Sequence, residues 1–475
     1  MMRYRRYLGK EDELAASYTS SLGRDDWLAP YIVQVFAAHV AALAENNIVG
    51  PDRLTCVAGT LLDLLQSGDP YGKVVDSIKA AEDYFEALEA YLYKRCGDEA
   101  GFVPIGRSRN DQVAAVLELA VRHHLFQILQ EMIELRRSLI EKAKEYSDAV
   151  IPVYTHLQVA QATWAADYLL SFEEALEDAW RWIAEGIRML DKSPLGSGPA
   201  AGTMVAFSDR TWDRLLCFNQ HALEPYYATS SRLNVLAACS ILAVLMTELS
   251  RLAEDMVIQS SQGFMVVDFS DEFVATSSIM PHKRNPVVAE VLRARAGGAI
   301  GDLAAALSMY KGLPYGYNLD LQEVNERLRA LLESTLTSVK VLARMVRGLR
   351  ISRESAARLL QGSVYWGQEL SEALSLKTGA PFREAYFSTA SALRHDGWRQ
   401  GPETRRLLEA AGIEPSKPEE LVRARSGDPA GRITEAEKRL EEDRRVVRKL
   451  LEEFMECRTR LVEALKSIAL RGGGA

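Results

Sequence analysis

The chain has 475 residues, of which 48% are hydrophobic and 26% are charged. That length exceeds what one ordinary hydrophobic core accommodates, so we expect a soluble globular protein of two or three domains. The formal net charge of -8 argues against a nucleic-acid-binding protein, whose binding face is normally basic.

Short helices interrupted by Gly-Pro, Gly-Asp-Pro and Gly-Phe-Val-Pro fill the first part of the chain, and we predict a small helical domain over 1–105. A central bundle over 106–352 follows, because five long stretches carry apolar residues at helical spacing. These predicted helices cover 109–147, 163–191, 233–262, 286–311 and 320–349. Strand signals are few, such as the one at 264–267. The fold class is therefore all-α.

The last part of the chain, 353–475, is predicted to form a second small helical domain that ends in a charged helix over about 433–469. Apolar residues lie on several faces of the central helices, so we expect oligomerisation to bury the surplus. The most apolar stretch, 235–246, is too short to span a membrane and is followed at once by charged residues. It predicts a helix buried in the bundle.

The cysteines are isolated and form no CxxC pair; they are Cys56, Cys96, Cys217, Cys239 and Cys457. This pattern predicts neither a disulfide framework nor a zinc site, and it fits a reducing cytoplasm. The basic N-terminal segment is not followed by an apolar stretch, so no signal peptide is expected.

The most informative segment is the polar loop Ser277–Pro286, which precedes a predicted long helix. Asn285 followed by Pro286 fits an N-cap with proline at the first helical position. Two hydroxyls, a lysine and an asparagine are thereby gathered at a helix N-terminus, an arrangement that binds anions. On the chemistry of these residues alone, the segment can also be an ordinary capped loop that binds no anion.

Four further segments combine polar residues with glycine or helix-start signals. They read GRSRNDQV at 106–113, YTHLQ at 154–158, PLGSGPAAGT at 194–203 and YNLDLQE at 317–323. In the first, Ser108 or Asn110 can cap a long helix, and in the second Thr155 with Gln158 fits a capping box. The three glycines of the third segment allow close approach of backbone to a ligand or a helix.

Together these segments resemble the fumarase/aspartase superfamily. The loop at 277–286 matches the SSxMPxKxNP loop of that superfamily, while the segments at 106–113, 154–158 and 317–323 resemble argininosuccinate lyases in particular. The resemblance runs in order along nearly the whole chain. It implies an all-α, three-domain fold with a central long-helix bundle, and the elimination of fumarate from argininosuccinate.

The resemblance also implies roles for single residues. Ser277 and His156 would transfer protons, with Lys283 stabilising the serine alkoxide and Glu290 orienting the histidine; which of the two is base and which is acid stays open. The substrate contacts implied are Ser21, Arg109, Asn110, Thr155, Asn285, Tyr317 and Gln322. A cytoplasmic homotetramer with composite active sites is implied, without metal, cofactor, nucleic acid or membrane partner.

The chain departs from the family pattern at a few places. Pro104-Ile105 replaces the usual His-Thr, Asn325 stands where a substrate-binding lysine is common, and 224–234 retains mainly Arg232. Another fumarate-releasing lyase, acting on adenylosuccinate, aspartate or malate, is therefore the nearest alternative. A catalytically silent helical scaffold on the same fold is the alternative from another class.

Overall fold

The structure is a computed structural model, and it describes residues 12–78, 81–208 and 210–473. Eighteen α-helices occur in this part of the chain. They are α1 (Glu13–Thr19), α2 (Ala29–Glu45), α3 (Thr55–Leu65), α4 (Pro70–Val75), α5 (Tyr84–Cys96), α6 (Arg109–Glu145), α7 (Ala165–Met189), α8 (Thr211–Leu215), α9 (Pro225–Ser230), α10 (Leu233–Ser260), α11 (Val287–Tyr310), α12 (Asp320–Arg347), α13 (Arg353–Gln361), α14 (Gly367–Thr378), α15 (Phe382–His395), α16 (Pro402–Ala411), α17 (Pro418–Ser426) and α18 (Ala430–Ala469).

Six short strands accompany the helices among the described residues and form three two-stranded sheets. The strands are β1 (Val150–Thr155), β2 (Gln158–Trp164), β3 (Lys192–Ser193), β4 (Gln220–His221), β5 (Val267–Asp268) and β6 (Arg350–Ile351). The pairs β1–β2 and β5–β6 are antiparallel, whereas β3–β4 is parallel. The all-α class is confirmed, and β5 lies at the end of the predicted strand.

The five predicted long helices are confirmed as α6, α7, α10, α11 and α12, which pack against one another as a bundle. Helices α6 and α12 run in the same direction, since Glu131 and Lys340 form an ion pair more than 20 residues into each helix and both helices begin beside one cavity. Helix α7 runs back along α6, and its Gly186 packs against Ile241 of α10.

Among the described residues, helix α10 is long enough and apolar enough in composition to cross a membrane. Half of its most apolar stretch is buried inside the protein, and it packs against α7, α11 and α12. A core helix meets the same criterion. The prediction of a buried bundle helix at 235–246 agrees with this packing.

The C-terminal helix α18 packs against α2, α3 and α6, so it contacts both the first helices of the chain and the central bundle. A disulfide between Cys217 and Cys457 links α18 to the segment after α8, and a second disulfide joins Cys56 to Cys96. The prediction that the cysteines form no disulfides is therefore wrong. Isolated positions in sequence do not prevent pairing, because the fold brings distant cysteines together. Among the described residues, which include all five cysteines, Cys239 alone is a free thiol, and it is buried.

Candidate active site

A cavity of about 440 Å³ lies where α6 and α12 begin. Four of the predicted substrate contacts line it, namely Arg109, Asn110, Tyr317 and Gln322. The remaining lining residues include Glu82, Glu89, Arg107, Ser108 and Gln112. Segments more than 200 residues apart in sequence thus meet at one concave surface, as a small-molecule site requires.

The start of α6 is fixed by a capping box, and of the two candidate caps in the sequence, Ser108 and Asn110, it is Ser108 that caps the helix. Its side chain accepts from the N–H of Asn110, and Asp111 accepts from the N–H of Ser108 at 3.1 Å. The other Asp111 oxygen accepts from the N–H groups of Gly196 and Gly198 at 3.2 and 2.9 Å. Asp111 therefore ties the glycine-rich loop to the helix that carries Asn110.

The glycine-rich loop 194–203 approaches the start of α6 closely. The Asn110 side-chain amide donates to the Pro199 carbonyl at 2.8 Å. A side chain at Gly198 would lie 2.4 Å from the Gly202 carbonyl oxygen, and Gly198 has φ +56°. The loop conformation thus depends on glycine at this position, as the sequence predicts for close backbone approach.

Ser21 lies behind the cavity rather than on its surface. It is buried, its hydroxyl donates to Asp25 at 3.0 Å, and its N–H donates to the carbonyl of Glu82, a residue that lines the cavity. Burial raises the pKa of Asp25 to about 7, although hydrogen bonds from Tyr84 and Ser21 oppose the rise.

Acidic residues that belong to none of the sequence motifs pair with the two arginines of the cavity wall. Arg109 Nη1 lies 2.9 Å from Asp83 Oδ2 and 3.6 Å from Glu82 Oε2. Arg107 pairs with Glu89 at 2.9 Å and lies over the Phe36 ring, 4.2 Å from its centroid. No sequence motif marks the acidic residues, because their position depends on how the first helices pack against α6.

Thr155 and His156 lie at the tip of the β1–β2 hairpin. Thr155 pairs with Gln158, and His156 and Leu157 form a two-residue turn with φ of 55° and 57°. The predicted capping box of Thr155 and Gln158 is therefore wrong. Positive φ at both turn residues matches the twist of a hairpin, but it strains residues other than glycine. The tip is exposed.

The loop that carries Ser277, Lys283 and Asn285 is anchored at its base. Ala275 and Asn285 exchange two backbone hydrogen bonds of 2.8 and 2.9 Å. Arg284 donates to Asp271 at 2.6 Å and to the Phe269 carbonyl at 2.7 Å.

The predicted N-cap at Asn285 is wrong. Helix α11 begins at Val287, with Pro286 as the residue before it, and it has no side-chain cap. The Asn285 carbonyl instead accepts from the Val287 N–H at 2.8 Å. Pro286, with φ -79° and ψ 60°, closes a tight three-residue turn. Glu290 follows in the first turn of α11 and is exposed.

Within the loop, the Ser277 oxygen accepts from the N–H groups of Met280 at 3.2 Å and Ile279 at 3.4 Å. Lys283 is half-buried, and its backbone N–H donates to the Met280 carbonyl. Over residues 12–78, 81–208 and 210–473, no group of three or more histidine, cysteine or acidic side chains is placed to hold a metal ion.

Comparison with known proteins shows which family has a similar sequence. Residues 5–301 match the lyase family model. The argininosuccinate lyase of Sulfurisphaera tokodaii is 36% identical over 83% of this chain and 84% of the relative, and that of Pyrococcus furiosus is 36% identical over 79% and 81%.

This chain belongs to the argininosuccinate lyase family. It is therefore a lyase, and it shares the fumarase/aspartase fold. The solved structure of EDDS lyase in complex with formate aligns with a TM-score of 0.82 over 94% of this chain and 93% of that one, at 23% identity. A class II fumarase from Schistosoma mansoni aligns with a TM-score of 0.71 over 88% and 96%, at 14% identity.

In this argininosuccinate lyase family member, the candidate residues fall into two groups at opposite ends of the bundle. Helix α6 has 37 residues, which corresponds to about 55 Å. The cavity with Asn110 and Tyr317 lies at its beginning. The hairpin with His156 follows the end of α6, and the loop with Ser277 follows the end of α10. Helix α10 runs parallel to α6, because Asp255 near the end of α10 contacts Tyr168 at the start of α7. The hairpin and the loop therefore lie at the same end of the bundle.

Proposed function

We propose that this protein cleaves argininosuccinate into arginine and fumarate, as a homotetramer whose active sites combine residues of different subunits. The observation that carries the proposal is the similarity to argininosuccinate lyases at 34–37% identity over 79–90% of the chain. The cavity that gathers Arg109, Asn110, Tyr317 and Gln322 supports it, because these residues offer the charged and amide donors that carboxylates bind.

The separation of the two residue groups supports a composite site. A cavity at one end of a bundle about 55 Å long cannot use Ser277 and His156 from the other end of the same chain. Helices of a second chain that run in the opposite direction would bring the ends together. The proton-transfer residues would then reach the cavity from neighbouring subunits.

Helix α11 supplies a surface for such neighbours. Of its 24 residues, only five small or aliphatic ones are buried: Ala289, Leu292, Ala296, Ala299 and Ala306. Val291, Ile300 and Leu307 are exposed by about half. A central helix of this composition that remains uncovered in one chain is typical of an oligomer interface.

The chemistry requires removal of a proton from carbon, stabilisation of the resulting dianion and protonation of the leaving nitrogen. Ser277 would exchange the carbon-bound proton. The N–H groups of Met280 and Ile279 that already point at its oxygen favour the ionised hydroxyl, and the ammonium of Lys283 in the same loop would add to this effect.

His156 would serve the nitrogen side, with Glu290 of another chain available to orient its ring. Thr155 beside it and Asn285 at the loop base would contact the substrate, as would Ser21 if its hydroxyl turns from Asp25 toward the cavity. His156 and Glu290 are both exposed in the single chain.

The proposal places the reaction in arginine biosynthesis in the cytoplasm. Two disulfides are unusual in most cytoplasms, but intracellular proteins of hyperthermophilic archaea are rich in them. The relatives include archaeal enzymes such as that of Pyrococcus furiosus. The disulfides are thus compatible with this location.

The test follows the ultraviolet absorbance of fumarate with argininosuccinate, adenylosuccinate, aspartate and malate as separate substrates. We expect release from argininosuccinate alone. The enzyme is first sized by sedimentation, because a fully active monomer contradicts the composite site. Release from another substrate favours the alternative lyase, and no release from any favours the silent scaffold.

The matched variants are Ser277→Ala and Ser261→Ala, the second at an exposed serine that follows α10. We expect Ser277→Ala to lower turnover by at least about 100-fold, the usual range for loss of a proton-transfer group, while Ser261→Ala keeps it. Near-full turnover by Ser277→Ala excludes the proposed role of that serine.

A further inference from the structure

Gln112 is a buried glutamine in the wall of the cavity where α6 and α12 begin. It follows Asn110 by two residues at the start of α6, and both residues line the cavity together with Tyr317. Only 1% of Gln112 is exposed. Its side chain is therefore part of the cavity wall, and the rest of the side chain is packed inside the protein.

The orientation of the Gln112 amide is fixed by Arg107. Gln112 Oε1 accepts from Arg107 Nη1 at 2.6 Å. Arg107 is itself held, because its Nη2 donates to Glu89 at 2.9 Å and its Nε donates to the Val103 carbonyl at 3.1 Å. An arginine side chain has donors only, so the amide oxygen must point at Arg107. The amide nitrogen Nε2 then points away from Arg107.

This nitrogen has no acceptor of its own. Gln112 Nε2 is buried without a hydrogen-bond partner among the described residues. The Tyr317 hydroxyl, on the same cavity, is also buried without a partner there. Buried polar groups are nearly always paired, and an unpaired one costs free energy. Because both residues line the cavity, an acceptor that enters the cavity can supply the missing partner.

The charges of the wall indicate what kind of acceptor fits. Arg107 pairs with Glu89, and Arg109 pairs with Asp83, both at 2.9 Å. Both arginines are therefore engaged by acids of the same chain, whereas the Gln112 amide offers a neutral donor. An ionised carboxylate only accepts hydrogen bonds, and a bond to it is about twice as strong as one between neutral groups. A carboxylate oxygen is the acceptor that gains most from this donor.

We propose that Gln112 is a substrate-binding residue whose Nε2 donates to a carboxylate oxygen of the substrate, while Arg107 holds the amide oxygen. The inference rests on the proposed function, since it adds Gln112 to that active site. The carboxylate belongs to the succinate part or to the arginine part of argininosuccinate. Gln112 is then a specificity-determining residue, because a substrate without an acceptor at this position leaves a buried donor unpaired.

Two variants test the donor. Gln112→Glu has nearly the same shape and still accepts from Arg107, but it loses the donor and brings a negative charge toward the carboxylate. We expect it to raise KM for argininosuccinate by at least about 10-fold, the equivalent of one lost hydrogen bond to a charged group. Gln112→Met removes the amide without adding a charge, and we expect a rise of about 10-fold. It carries the test if the glutamate variant does not fold.

The matched control is Gln127→Glu, the same substitution at a half-buried glutamine of the same helix. It lies about 22 Å further along α6, so its KM should equal that of the wild type. An unchanged KM in both Gln112 variants overturns the proposal, because the amide then serves only the interior. A lower KM in Gln112→Glu, or an equal rise in Gln127→Glu, also overturns it.

Calorimetry with fumarate and with arginine separates failure of this proposal from failure of the proposed function. Suppose that the wild type cleaves no argininosuccinate. If it binds one of the two ligands, and Gln112→Met binds that ligand at least about tenfold more weakly, the carboxylate contact stands without the reaction. Weaker binding of fumarate assigns the contact to the succinate part, and weaker binding of arginine assigns it to the arginine part. Equal binding by both proteins, or no binding of either ligand by this inactive wild type, overturns the contact.

Discussion

At the scale of single residues, three carboxyl groups of the protein are buried away from solvent. Burial raises the pKa of Asp25 and Asp111 to about 7 and that of Glu118 to about 8. Asp111 accepts three backbone N–H bonds, whereas Glu118 has an oxygen without a partner. Of the three, Glu118 therefore depends most on being protonated.

The pH dependence of stability follows from Glu118. Its folded pKa of about 8 lies above the ordinary value of 4.5, so between these values the folded chain holds a proton that the unfolded chain has lost. The free energy of unfolding then falls as pH rises through this window, by at most about 1.4 kcal/mol per pH unit. Glu118→Gln lacks this contribution.

We expect the thermal midpoint of Glu118→Gln, relative to wild type, to rise steadily from pH 5 to pH 8. The charges facing Glu118 come from Arg232, Arg122, Lys192 and Asp191, and they stay the same in both proteins. If the difference in thermal midpoint between Glu118→Gln and wild type stays constant from pH 5 to pH 8, or falls, Glu118 is ionised in the folded protein.

At the scale of elements, the sequence predicts the long helices well. The predicted range 109–147 corresponds to α6 at Arg109–Glu145, and 320–349 corresponds to α12 at Asp320–Arg347. Over many turns an apolar stripe is a strong signal, and Ser108 supplies a clear start. Short elements carry too few residues for such a pattern.

The β1–β2 hairpin is one of the short elements that the sequence pattern does not identify. Thr155 and Gln158, three residues apart, fit a capping box and equally fit the last pair before a two-residue hairpin turn. The turn itself holds His156 and Leu157, without the Asn-Gly or Asp-Gly that usually marks it. Tertiary packing of α13 on β1 and of α17 on β2 decides the outcome, and the sequence does not show it.

The same limit applies to the candidate site. Asn110, Tyr317 and Gln322 stand in recognisable motifs and meet at the cavity. Glu82 and Glu89 line it without any motif that identifies them as part of the site. A sequence shows which residue types are present, but it does not show which side chains the packing of α5 and α6 brings together.

The strained hairpin turn gives a prediction at this scale. Leu157 at φ 57° is disfavoured by about 1 kcal/mol, whereas asparagine tolerates this conformation and β-branched valine does not. We expect Leu157→Asn to keep or raise the thermal midpoint and Leu157→Val to lower it. Because Leu157 is 62% exposed, an equal loss in both variants means instead that another chain covers its side chain.

At the scale of the whole molecule, the two disulfides connect parts that are far apart in sequence. Cys56–Cys96 closes 40 residues between α3 and α5, and Cys217–Cys457 closes 240 residues and ties α18 to the bundle. In the chain-entropy account, a cross-link stabilises more as the loop it closes grows. It gives about 4 kcal/mol for the shorter loop and about 5.5 kcal/mol for the longer one.

Thiol titration in denaturant and thermal unfolding test this arrangement together. Without reductant, we expect one of the five cysteines, Cys239, to react, and all five after reduction; Cys239→Ala should leave none reactive before reduction. Replacing Cys217 and Cys457 by serine should lower the thermal midpoint more than replacing Cys56 and Cys96. Five reactive thiols without reductant would mean that the cysteines stay reduced, as their isolation in sequence predicts, and that α18 is held by packing against α2, α3 and α6 alone.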